Sequence, residues 1–481
     1  LLNTCVDGVT MRKGRIESVT AYQQTTEKRM TLCAPLFADA TGDGSLGAWA
    51  GADFVVGREA RSAYDEPHAP EKADHCTMGN SLMFKARDAG HPVPFIKPDW
   101  ANTYTEHDLR RRIHEDVTSG YWWIELGGGR YNTIADAETL RDELLKAVYG
   151  VWDHIKNGGE HGAQNMELEW VGMLPGKRES RRLLGDYVLN EADCAGGRRF
   201  ADAVAYGGWP MDVHTVEGFL NDSDDPTVWL RLEDVYTIPY RCYYSMNIPN
   251  LFLCGRIISA SHMAFASARV MATCAVGGQA VGTAAAIAVH RGILPREVGA
   301  HIRELQQTLL RDDCYIPGIR NEDADDLLRD AQISASHALP ECEAENVLSG
   351  VSRTVGEQTN CWAAYAADHP TLTLRLAAPA AVRRIQLTFD SNLSREITIS
   401  INREVLGRQS AGTPPELVCS CRLVFVRDGA DVRHIDIEGL WQRRCVLDLE
   451  QPILCDAIRI ENIRTHGAKI IRIFEARAYR A

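Results

Sequence analysis

The segment Thr273–Val289 is the most apolar in the 481-residue chain, and apart from Gln279 and Ile287 nothing in it is larger than valine. A helix made of Ala and Gly has little side-chain bulk to bury. It is stabilised by letting its backbone come close to a sheet or a flat ring. A strand-like run, Asn250–Cys254, precedes it and ends in Gly255-Arg256, followed by Ser267-Ala268-Arg269-Val270-Met271 and a helix expected over residues 271–290. Strand, glycine turn and small-residue helix in that order predict an α/β arrangement. The apolar stretch falls short of the ~20 residues of a membrane helix, so no span is expected.

The same grammar occurs near the start. Leu36–Ala40 is a short apolar run ending in Thr41-Gly42-Asp43-Gly44, and a small-residue helix is expected over Ser45–Ala52. Such a turn lets backbone N–H groups approach a phosphate or a cofactor edge. Ahead of it, Val9–Met11 and Ile16–Val19 read as strands around the turn signal Lys13-Gly14. Residues 53–132 look irregular and aromatic. Residues 136–157 predict an amphipathic helix with Leu140, Leu144, Val148, Val151 and Ile155 on one face, and a further helix starts near Pro295. The run Lys177-Arg178-Glu179-Ser180-Arg181-Arg182 reads as a solvated charged face.

Near residue 340 the period changes from helix-like to two. Thr371–Leu376, Ile385–Phe389, Ile397–Ile401, Ile458–Ile460 and Ile470–Ile473 alternate strictly, which predicts an antiparallel sandwich or jelly roll. The boundary is expected between Asp325 and Asn346, with 316–340 as linker and 341–481 as the β-domain. A net charge of -13 without a dense basic run argues against nucleic acid or an anionic membrane as partner. The 14 cysteines are scattered, with no C-x-x-C pair, so no zinc-ribbon or iron–sulfur site is expected and no metal. Free thiols in a reducing, cytoplasmic setting follow.

Several segments together resemble a known family. They are L-F-A-D-A-T-G-D-G-S-L-G-A-W-A-G-A (36–52), G-R-E-A (57–60), G-K-R-E-S-R-R-L-L-G-D-Y (176–187), Y-T-I-P-Y-R (236–241) and the long stretch 250–286. They resemble the FAD-dependent oxidoreductases related to the flavin subunit of heterodisulfide reductase, within the glutathione-reductase-like superfamily, over residues 1–315. The resemblance implies a Rossmann-like FAD-binding domain (1–54 and 242–315) with an inserted α+β substrate domain (55–241). It implies FAD contacts from Ala40, Thr41, Gly42, Asp43 and Gly44, from Gly255 and Arg256, and from Ser267, Arg269, Val270, Met271 and Thr273. The family opens with strand, G-x-G-x-x-G and helix, and this chain has no such element. With Leu1 in first place, the expectation is a fragment whose FAD-binding domain is incomplete and binds FAD poorly.

A flavin enzyme commonly needs a base near the substrate. His262 lies between the Gly255 turn and Ser267, and His214 lies beside Asp212, which can orient an imidazole. Arg181 is a candidate for holding a substrate carboxylate, as are Arg182, Arg241 and Arg269. The expected reaction is hydride or electron transfer between a small organic substrate, a sugar or hydroxy compound, and flavin. The carboxy-terminal part resembles galactose-binding, discoidin-like jelly rolls through N-V-L-S-G (346–350) and I-I-R-I-F-E-A-R-A-Y (470–479), which implies a carbohydrate partner met by Trp362, Tyr365 and Trp441. The competing reading is a carbohydrate-binding protein with a vestigial flavin domain.

Overall fold

The computed structural model describes residues 1–395, 397, 403–409 and 412–480. The strand expected over Ile397–Ile401 lies outside the described residues except for Ile397. The chain divides into two compact units, Leu1–Gln306 and Gln307–Ser400 with Glu404–Ala481.

In the first unit, Thr4–Arg12, Arg15–Gln23 and Lys28–Cys33 form an antiparallel sheet in sequence order. The first hairpin closes through Lys13 and Gly14, both at positive φ (51° and 74°), the backbone a two-residue turn between twisted strands requires. Ile16 and Val19 go into a core shared with Leu46, Leu183, Leu251 and Leu253. Phe37–Asp39 pairs in parallel with Leu251–Leu253, Ala38 opposite Phe252. Two segments more than two hundred residues apart therefore end side by side in their glycine turns. The helix after the first turn runs Ser45–Ala50 and stops at Gly51, whose left-handed backbone caps it two residues before the expected end.

The stretch expected to be irregular holds real strands. Asn80–Asp88 pairs with Tyr121–Leu126 inside it, and Met166–Val171 and Gly176–Lys177, from beyond residue 132, add to Asn80–Asp88. Their pattern is masked because Met83 sits in the outward register while Leu82, Phe84 and Ala86 point inward. The helix Ala137–Asn157 covers them, burying Leu140, Leu144, Val148, Val151 and Ile155 as its periodicity predicts, together with Trp152. The helix Met271–Arg291 is longer than the apolar segment that announces it. Among the described residues it is the one helix long and apolar enough to cross a membrane by length and composition alone. Its composition also answers to packing. A Cβ on Gly277 would lie 2.7 Å from the Tyr243 ring, and Ala280, Ala284 and Ala288 are buried.

The second unit is an all-β sandwich. Its seven-stranded sheet runs Trp362–Tyr365, Ile470–Tyr479, Leu372–Phe389, Arg444–Thr465, Val418–Arg427, Ala430–Ile437, with Gln332–Ala335 also pairing with Leu372–Phe389. Two short strands read from the sequence, 371–376 and 385–389, are parts of this one long strand, interrupted by register breaks after Arg375 and Val382. Such breaks let a strand bend around a core. Gln332–Ala335 falls in the stretch read as linker. Ile333 and Ala335 alternate toward the core, so this stretch contributes a strand.

Candidate functional site

The Asp39–Gly44 turn is organised by a carboxylate. Asp39, fully buried, accepts from the Thr41 N–H at 2.9 Å, the Thr41 hydroxyl at 2.7 Å and the Gly47 N–H at 2.8 Å. Gly42 and Gly44 have φ of 79° and 64°, where a Cβ is strained. Gly42 also leaves space that is already claimed. A Cβ there would stand 2.9 Å from the Arg256 guanidinium, which arrives from the neighbouring Gly255 turn (φ 81°). Arg256 donates to Asp43 at 3.1 Å, and its buried Nε has no hydrogen-bond partner among the described residues. Asp43 also accepts from Lys177 at 2.6 Å and Ser180 at 2.8 Å. Burial opposes its ionisation, but these donors hold the carboxyl below the usual carboxylate range. Ala40 is exposed on the same turn.

The run Lys177–Arg182 was expected to be a solvated face. Instead Glu179 and Arg182 are fully buried and Ser180 nearly so. The charges reach inward because each finds a partner there. Lys177 and Ser180 bind Asp43, and Arg181 donates to the Asp43 carbonyl at 3.1 Å and stacks over Phe54. Arg178 meets Ser81 at 2.6 Å and Glu125 at 3.4 Å. Arg182 donates to Glu179, to Glu59 at 2.6 Å, and to the carbonyls of Gly57 and Ala260.

This strap joins the turn to His262. His262 is 2% exposed; its Nδ1 lies 3.0 Å from Glu179, and its backbone N–H donates to Glu59 at 2.8 Å. Burial alone would raise the Glu179 pKa, yet His262 and Arg182 hold it below the usual range. An ionised Glu179 accepts a hydrogen bond from Nδ1–H, which keeps the proton on that nitrogen and leaves Nε2 as the basic one. That Nε2 is buried and has no partner among the described residues. Beside it, Ser261 and the Glu191 N–H both donate to Glu66, whose pKa burial raises.

His214 differs. Both its nitrogens are committed, Nδ1 to Glu125 at 2.8 Å and Nε2 to Asp212 at 3.0 Å. Burial opposes its charging, but the two carboxylates win and raise its pKa. Asp212, despite burial, is held at about 2 by His214, Thr227 and Arg269. Arg269 is bonded to Asp212 at 3.1 Å, with its Nε unpartnered among the described residues. His214 is thus a strut between two carboxylates with no free nitrogen. Ser267 is buried, bonded to the Trp209 carbonyl at 2.5 Å and the Tyr236 hydroxyl at 2.8 Å. Val270 caps the helix Met271–Arg291, Thr273 is buried in it, and Met271 is exposed.

A cleft of about 670 Å³ opens beside the strap, where Ser180 and Arg181 meet Phe54, Tyr131, Asn132 and Thr133. Neither histidine lines it. Glu179, Glu59, Glu66 and Asp39 carry the site, and nothing in the sequence marks them for it, since single acidic residues bear no spacing signal until the fold brings them together. In the sandwich, Trp362 is fully buried, with its indole N–H on the His337 carbonyl at 2.9 Å, so it cannot offer a face to sugar. Tyr365 and Trp441 are exposed. A cleft of about 520 Å³ lies elsewhere in that unit, among Arg353, Asp390, Asn392, Glu416 and Arg472.

The family model described as FAD dependent oxidoreductase matches residues 1–309. This chain belongs to that family. None of the curated proteins matches it. Among solved structures, it is similar to the lectin domain of lectinolysin complexed with Lewis B antigen, at 11% identity over 33% of this chain and 98% of that one, TM-score 0.25. It is similar to the family 32 carbohydrate-binding module of C. perfringens NanJ in complex with galactose (15% identity, 32% and 98% covered, TM-score 0.23). A third is the family 32 module of Streptococcus pneumoniae EndoD (16% identity, 32% and 99% covered, TM-score 0.25). For this FAD-dependent oxidoreductase the residues present suit a flavin cofactor. Parallel strands end in adjoining turns at positive φ, and the Gly42 position would be filled by any Cβ. The Arg256 Nε is a buried donor still without an acceptor.

Proposed function

We propose that this protein oxidises a C–OH or C–NH group of a small organic substrate, a hydroxy compound or sugar among them, with His262 receiving the substrate proton on Nε2. The observation that carries this reading is the unpartnered, buried His262 Nε2 whose other nitrogen is fixed by Glu179. FAD, when bound, supplies the acceptor for the hydride. Asp43 and Arg256, with the backbone at Gly42 and Gly255, would hold it. In balance, the substrate C–H leaves as hydride, the O–H or N–H proton goes to Nε2, and a C=O or C=N bond forms. Glu179 keeps the imidazole oriented and stabilises the charge it gains. Arg181 lines the cleft beside the strap, which His262 does not reach, and would meet an anionic or strongly polar group there. A cytoplasmic setting is proposed with it, resting on the scattered single cysteines.

The test uses protein expressed from the whole gene and supplied with FAD, its flavin absorbance recorded, then dye reduction across hydroxy acids, amines and sugars. His262→Asn should keep the flavin bands and lose about 10²–10⁴-fold in turnover on the best substrate. Glu179→Gln should move the pH profile. A colourless wild-type protein overturns the flavin reading, and full turnover by His262→Asn moves the base elsewhere.

A saccharide partner for the sandwich is a second proposal, supported by exposed Tyr365 and Trp441 and by the polar cleft. Galactose titration that leaves tryptophan fluorescence and calorimetry unchanged removes it for that sugar.

A further inference from the structure

We propose that Glu106, His114, His154 and His161 bind a zinc ion, a site separate from the flavin chemistry. The four come from three places: a helical turn Glu106–Leu109, the loop after it, and the last turn of the helix Ala137–Asn157 with the loop that follows. Their ligand atoms all lie within 4.8 Å of one another. One carboxylate oxygen, Glu106 Oε2, is 3.0 Å from His154 Nε2, 3.4 Å from His114 Nε2 and 3.6 Å from His161 Nε2. His154 Nε2 and His161 Nε2 are 3.1 Å apart. A tetrahedral zinc with ligands at 2.0–2.1 Å has ligand–ligand edges of about 3.3 Å. These four separations bracket that value.

The arrangement is poorly explained by hydrogen bonds alone. His114 Nδ1 lies 2.6 Å from the Arg112 carbonyl, which can only accept. A neutral His114 therefore turns a lone pair toward the Glu106 carboxylate. Between His154 and His161, two Nε2 atoms face each other and at most one can donate. Charging all three rings would gather like charges whose ring centroids are 4.9–5.4 Å apart, on side chains only 6%, 10% and 16% exposed. A divalent cation at the centre turns every one of these lone pairs to use. The Arg112 carbonyl then orients His114 as a ligand's outer partner usually does. Three imidazoles and a carboxylate suit zinc, and four protein ligands close the shell, which marks a structural ion. Its role is to pin the 106–114 segment to the end of the long helix. No ligand spacing announces this site, because His154 and His161 are seven apart, His114 is forty residues earlier, and no ligand is a cysteine.

The experiment measures metal in the whole protein purified without chelator. About one zinc per chain is expected by mass spectrometry, with X-ray absorption reporting N/O ligands at 2.0–2.1 Å and no sulfur. The sulfur signal matters because the chain has 14 cysteines, and a thiolate-bound zinc would show ~2.3 Å distances. His161→Asn, and separately Glu106→Gln at the more exposed corner, should each lower zinc occupancy at least about tenfold at limiting free zinc. Chelation should lower the thermal midpoint of wild type and leave that of His161→Asn nearly unmoved. Protein that takes up no zinc from an excess, a sulfur-ligated zinc, or both variants retaining wild-type occupancy would overturn the site.

Discussion

A buried acid shows how a residue's surroundings can reverse its ordinary behaviour. Asp326 was simply part of a stretch read as linker, yet its Oδ1 accepts the N–H groups of Leu328 and Ala478, both at 3.0 Å. Burial, only partly offset by those bonds and by Arg477, raises its pKa from 3.8 to about 6. The folded chain therefore holds this proton more tightly than the unfolded chain. The stabilisation is complete below about 3.8 and is lost as pH rises through about 6. Asp326→Asn keeps the accepting oxygen and removes the charge. It should gain about 2–3 kcal/mol over wild type at pH 8 and almost nothing at pH 4, by urea unfolding at both. No gain at pH 8 would mean the ionised group is solvated after all. The same scale explains which site residues were legible. His262 and Arg256 follow a glycine turn that announces itself. Glu179 and Glu59 matter only through the partners that folding gives them, and a charged run carries the same letters whether solvated or buried.

At the scale of elements, the helix Ala137–Asn157 and the parallel pair Phe37–Asp39 with Leu251–Leu253 were readable because burial imposes a period or a short apolar run. The strand Asn80–Asp88 was not, since Met83 breaks its alternation. Two glycines at positive φ, Gly42 in the turn and Gly292 at a helix end, make the sharper test. Gly42→Ala pays the left-handed backbone penalty of about 1–2 kcal/mol and also pushes on Arg256, whose guanidinium would lie 2.9 Å from the new Cβ. Gly292 ends the helix Met271–Arg291 at φ 66° with nothing within 4 Å. Gly292→Ala therefore carries the backbone strain alone. Gly42→Ala should lose at least as much stability as Gly292→Ala, and it alone should lose flavin occupancy, by about tenfold. Equal flavin retention would mean that the space at Gly42 serves packing rather than the cofactor.

For the whole molecule, two independent boundaries nearly coincide: the family match ends at residue 309 and the compact units divide after Gln306. The sequence placed the change later, near 340, because the period-two signal starts only with the long strands. The residues in between carry turns and the single strand Gln332–Ala335. The second unit has a continuous core of its own, with Trp362, Leu374, Val382, Leu387, Phe425, Ile458 and Ile473 all nearly inaccessible. A unit of that size with such a core ordinarily reaches a stability of about 5–15 kcal/mol unaided. Residues 307–481 expressed alone should therefore be soluble, give a β-type circular dichroism spectrum and unfold in one cooperative step. Asp326→Asn should stabilise this piece at pH 8 as it does the full chain, since Asp326 and both of its hydrogen-bond donors lie within it. A piece that is collapsed but unfolds without cooperativity would show that this core depends on residues before 307, and the two units would then have to be treated as one folding entity.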